Sequence, residues 1–136
     1  MGQIKLLDTP TIQSRAKAMA ARLGKPDFQV RSEPMHDGSR HVEVSDAYYL
    51  VATERGLETE RKRTNDVDEL LYWIMEGLTS SMSWDYELAH RREGEDFRRQ
   101  GFAKQVELLD TLYPEWGARL RREHEEILQR YPFRDS

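Results

Sequence analysis

The hydrophobic period of this chain changes for the last time at Asn65, and that switch restricts the fold more than any other feature of the sequence. Before it, Phe28 and Val30, then Val42 and Val44, alternate with polar neighbours, and YYLVAT at 48–53 is rich in β-forming residues. Successive side chains of a strand point to opposite faces, so this spacing describes half-buried strands. After it, Val67, Leu71, Ile74, Leu78, Met82 and Ala89 recur at helical spacing, and helical patterns continue to about residue 130. Strands gathered in one part and helices in another describe an α+β fold.

Local signals set the boundaries. Thr9-Pro10 supplies a cap and a proline at the first helical position, and Gly24-Lys25-Pro26 ends the segment. Ile12, Ala16, Met19, Ala20 and Leu23 share a face between them, which predicts a helix over 10–23. Asp37-Gly38 and Gly56 punctuate the alternating region, which reads as an antiparallel meander of about four strands within 27–64. Its last member, LETERKRT at 57–64, is polar on both faces and suits an edge, where charges discourage pairing with another chain. That role accounts for Arg61-Lys62-Arg63 without nucleic acid. Asn65 or Asp66 caps a long helix over about 66–91, Gly94 precedes a second over 95–112, and Pro114 opens a third to about 130. The expected architecture is an N-terminal helix, the meander, and three C-terminal helices packed on it, in one domain over 1–136.

Several function classes drop out. The chain has no cysteine, which removes disulfides, thiolate nucleophiles and Cys-type zinc sites. No run approaches 18 apolar residues, and MGQIKLLDTP lacks a basic-then-apolar signal pattern, so the expected compartment is the cytoplasm. No phosphate-cradling glycine loop or Gly-x-Ser-x-Gly elbow occurs. Glu87-x-x-His90 has the spacing of a helical di-iron ligand pair, but a second copy is needed and His124 has Arg121 three residues before it. The rival enzyme or metal-binding reading rests on Glu87, His90 and His124 alone. No metal and no cofactor is expected. Arg91, Arg92, Arg98 and Arg99 stand near Trp84, Tyr86 and Phe97, yet Glu93, Glu95 and Asp96 intervene, so nucleic acid is not the expected partner.

Charge is unevenly spread. Residues 1–64 carry 11 basic and 9 acidic side chains, and residues 65–136 carry 10 and 16. The deficit sits in the window 65–90, which holds six acids and neither a Lys nor an Arg. Asp66, Asp68 and Glu69 fall in the first turn, where the helix dipole explains them. Glu76 and Glu87 lie further on and line up with Glu69 opposite the apolar stripe, flanked by Tyr72, Ser80 and Ser83. In the last helix Arg119/Glu123, Arg121/Glu125 and Arg122/Glu126 are each four apart and neutralise one another. The contrast predicts an outward anionic face (Glu69, Tyr72, Glu76, Ser80, Ser83, Glu87) that docks on a basic protein partner. Two charges fall on apolar stripes instead, Asp85 on the long helix and Arg98 on the next. Each needs a partner, and a buried Asp85–Arg98 pair is expected. His124, on the apolar stripe of the last helix, reads as a core histidine.

The stretch from about Glu54 to Gly117 resembles the immunity protein 63 family, predicted immunity proteins encoded beside bacterial polymorphic toxins. The likeness is carried by Glu54-Arg55-Gly56, Asp68-Glu69-Leu70-Leu71-Tyr72-Trp73, Asp85-Tyr86-Glu87, Asp96-Phe97-Arg98-Arg99 and Pro114-Glu115-Trp116-Gly117. The resemblance implies a non-catalytic protein that binds a cognate toxin domain and blocks it.

Overall fold

The structure, a computed structural model, describes residues 5–136. In chain order it contains α1 (Thr9–Arg22), β1 (Asp37–Val44), β2 (Tyr48–Glu54), β3 (Leu57–Thr64), α2 (Val67–Ala89), α3 (Phe97–Leu112) and α4 (Pro114–Arg130). The chain divides into two compact units, one ending at Ile74 and the other beginning at Met75.

In the first unit, α1 starts one residue earlier than expected because Asp8 caps it, its carboxylate accepting from the Thr11 N–H at 2.9 Å. Ile12, Ala16 and Ala20 are buried on one face, and Gly24 closes the helix at φ +84°. The sheet is antiparallel, ordered β1-β2-β3, with Leu50 opposite Val42 on one side and Lys62 on the other. β3 therefore sits at an edge, as its charge pattern predicts. Arg61 spans Glu58 (2.7 Å) and Glu43 (3.2 Å), Arg40 meets Glu60 at 3.0 Å, and Lys62 lies 4.6 Å from the centre of the Trp73 ring. The basic triplet is thus occupied within its own unit. Arg55-Gly56 joins β2 to β3 with φ positive at both residues (52° and 81°), the backbone of a tight hairpin turn that matches strand twist.

Four strands were one too many. Phe28–Val30 forms no strand, and the segment touches the sheet at a single bridge, Arg31 to His41, where the Val42 N–H donates to the Arg31 carbonyl at 2.9 Å. Pro26 and Pro34 lack the N–H groups that would carry the pairing past either end of the segment.

The second unit contains most of α2 with α3 and α4. Asp96 caps α3 by accepting from the Arg98 N–H, and Pro114 opens α4. Gly117 lets α4 approach closely: a Cβ there would stand 2.6 Å from the Asp110 carboxylate and 3.1 Å from its Cα.

Candidate functional site

The outward acidic line is not the surface that α2 presents. Tyr72, Ser83 and Glu87 are 2%, 1% and 2% exposed, while Glu69, Glu76 and Ser80 are half-buried. The reason lies in what the helix buries. Up to Met75 it is enclosed nearly all round, with Leu70, Leu71, Tyr72, Ile74 and Met75 all interior. Beyond Met75 the buried positions are Thr79, Ser83 and Glu87, four residues apart and polar. A stripe of that kind gives no hydrophobic period.

These polar positions are interior because each has a partner. The Thr79 hydroxyl donates to the Met75 carbonyl at 2.8 Å, and Ser83 donates to the Ser80 carbonyl at 2.8 Å. Gln105 of α3 donates its amide to the Glu76 carbonyl (3.0 Å) and the Thr79 hydroxyl (3.4 Å), and its own amide oxygen accepts from His124 Nε2 at 3.1 Å. That fixes the proton of His124 on Nε2 and leaves Nδ1 buried without a partner. Phe102 stacks on the imidazole with ring centres 3.9 Å apart, and burial pushes His124 down to about 4. His124 is an interior histidine, as its place on the apolar stripe predicts. Glu87 turns back onto Arg91, which grips it at 2.7 and 3.2 Å and holds the carboxyl below its ordinary range. The charge expected to await an external cation is already met.

The Asp85–Arg98 pair does not form. Asp85 is exposed, and Arg98 binds Asp96 through two contacts, 2.9 and 3.2 Å. Arg98 also donates to the Tyr131 and Pro132 carbonyls, each at 2.8 Å. Asp96 further accepts from the Arg134 N–H at 2.8 Å, and these donors hold its carboxyl well below the carboxylate range. Arg99 pairs with Asp135 at 2.9 Å, and Phe133 lies under both arginines. A capping carboxylate two residues away and carbonyls more than thirty residues on thus satisfy Arg98, which facing-helix spacing does not reveal.

What α2 does present, past its midpoint, is an exposed ridge. Ser81 and Asp85 are exposed, Leu88 is 63% exposed, and Phe97 at the start of α3 is 51% exposed. Trp84 stands behind Phe97: its ring centre is 5.3 Å from that of Phe97, and its far edge lies where a Cβ on Gly101 would stand at 2.5 Å. Asp85 makes no ion pair among the described residues. Periodicity hid this ridge by assigning the whole Val67–Ala89 stripe to the core, whereas Asp85 marks where the stripe emerges into solvent.

None of the residues considered for chemistry is arranged for it. Glu87 faces Arg91, His90 stacks on Tyr86 at 4.1 Å between ring centres with Nδ1 2.8 Å from the Tyr86 carbonyl, and His124 is interior. Among the described residues no group of three or more His, Asp or Glu side chains is placed to hold a metal ion, and no helix is long and apolar enough to cross a membrane.

The family model described as immunity protein 63 matches residues 45–126, which is 82 of the 136 residues and runs from the turn before β2 into α4. No curated protein and no solved structure matches.

Proposed function

The chain belongs to the immunity protein 63 family, and from that premise we propose that it neutralises its toxin by stoichiometric binding through the Asp85–Leu88–Phe97 ridge. Membership makes it an immunity protein with a cognate toxin as partner, and an inhibitor rather than an enzyme. The observation that carries the finer reading is the ridge itself: a leucine at the end of α2 and a phenylalanine at the start of α3, both mostly in water, the phenylalanine backed by a tryptophan. Binding energy at protein interfaces concentrates in a few large apolar anchors on a rigid support. Asp85 supplies an unmatched charge beside them, which favours a toxin surface with a Lys or Arg at that point and speeds encounter. Asp85 and Phe97 also belong to the segments that carry the family likeness, and neither is needed to satisfy a buried group.

The half-buried Glu69, Glu76 and Ser80 remain a competing anionic contact, supported by the absence of Lys and Arg from the window around them. The two readings separate by substitution. Leu88→Ala with Phe97→Ala is expected to weaken binding of the cognate toxin about tenfold or more, with little change in thermal midpoint. Glu76→Lys is expected to leave affinity within about twofold, since a rim charge acts mainly on association rate. Loss of binding in Glu76→Lys with none in the double variant would transfer the interface to the other face.

A further inference from the structure

The geometry points to a second contact for the same toxin: a carboxylate-bearing loop received by Arg130 and Arg134 in the cleft beside the ridge. This rests on the ridge reading, because Phe97 borders both surfaces and a partner seated on one reaches the other. The cleft is open, about 710 Å³, and is formed by the α2–α3 link, the first turn of α3, the end of α4 and the segment after it. Its walls carry the exposed aromatic rings of Tyr131 (68%) and Phe97 (51%).

The charges around it decide the ligand. Arg91 is taken by Glu87 at 2.7 Å, Arg92 stands 3.5 Å from Glu95, and Arg98 is taken by Asp96 at 2.9 Å. Arg130 and Arg134 make no ion pair among the described residues, and Glu93 is the acid left to oppose them. Two unmatched guanidinium groups flanked by aromatic walls suit a carboxylate, which each can bind through two parallel N–H donors. The site is also rigid at its base. The Arg134 N–H is fixed on Asp96 at 2.8 Å, and the Tyr131 and Pro132 carbonyls on Arg98 at 2.8 Å, so little ordering remains to be done on binding. A nucleic acid phosphate is disfavoured because the chain as a whole carries a net charge of −4.

The test uses the full chain and its cognate toxin domain at low salt. Arg130→Glu with Arg134→Glu should weaken binding about tenfold or more and flatten its salt dependence, Arg130→Gln with Arg134→Gln should weaken it less, and both should melt like the parent. Unchanged or tighter binding by the charge-reversed chain overturns the inference, and leaves the ridge standing if Leu88→Ala with Phe97→Ala still weakens the complex about tenfold or more. The opposite pattern overturns the ridge instead. A hexaglutamate peptide should shift backbone amide resonances of residues 91–98 and 130–134. Shifts elsewhere, no shifts, or stronger shifts with a short DNA duplex contradict the cleft's assignment.

Discussion

Each of the two units has its own kind of core. Among the described residues, all but four of the buried apolar side chains lie before Met75, while six of the eight buried polar ones lie after Ile74. The first unit is ordinary: aliphatic residues of α1, β1 and β2 and the first turns of α2 leave water together, and stability follows area removed from water. The second packs helices over Thr79, Ser83, Glu87, Gln105 and His124, and its order comes from donors and acceptors that each need a particular partner. An area-driven core tolerates a change of shape better than one in which a single missing partner strands a polar group. The second unit also carries both proposed toxin contacts, so the hydrogen-bonded core underlies the surface that must keep its form.

The contrast makes graded predictions. Leu71→Ala removes a side chain 1% exposed and should cost about 2–5 kcal/mol, read by chemical denaturation. A cost below about 1 kcal/mol would mean that the first core is loosely packed. Acid comes next. His124 sits at about 4 when folded and 6.5 as a free side chain. The unfolded chain therefore binds its proton more readily between those values. The contribution of the neutral ring is whole above pH 6.5 and is lost as pH falls toward 4, on the order of 2–3 kcal/mol. His124→Phe should be less stable at neutral pH and show a flatter slope across that window; an unaltered slope would place the acid sensitivity elsewhere.

Gln105→Leu keeps the volume and strips the hub of the network, with an expected cost of about 1–3 kcal/mol. A stabilised variant would show that the second unit is held by burial after all. The smallest effect is a gain. Arg55 adopts φ 52°, a left-handed conformation that the short polar side chain of Asn tolerates better than that of Arg, so Arg55→Asn should raise stability by about 0.5 kcal/mol.

The same contrast explains what could be read from residues alone. Where burial is apolar the period is visible. The α1 face of Ile12, Ala16 and Ala20 follows from it, the β-rich run 48–53 becomes the mostly buried central strand β2, the charges of β3 mark it as an edge, and all four helices lie within two residues of their expected bounds. Where burial is polar the period is silent, and Ser83 and Glu87, both on the expected anionic line, look like a solvent face though they are interior. The error for Glu87 has a short-range cause, since Arg91 lies one helical turn on, just outside the window free of cations. Asp85 is a charge on an apolar stripe, and it needs no buried partner because the stripe reaches solvent before its end, with Asp85 and Ala89 both exposed. Nothing in the local sequence around Arg98 announces that carbonyls of residues 131 and 132 will meet it.

The proposed toxin contact is the exposed ridge of α2 and α3, and hydrogen–deuterium exchange of the full chain, free and bound to its cognate toxin domain, tests it. Binding should slow exchange over residues 81–98, with protection at 130–134 if the cleft takes part, and should leave β3 and the first turns of α2 as they were. Protection confined to residues 57–76, with 81–98 exchanging as in the free protein, would contradict it.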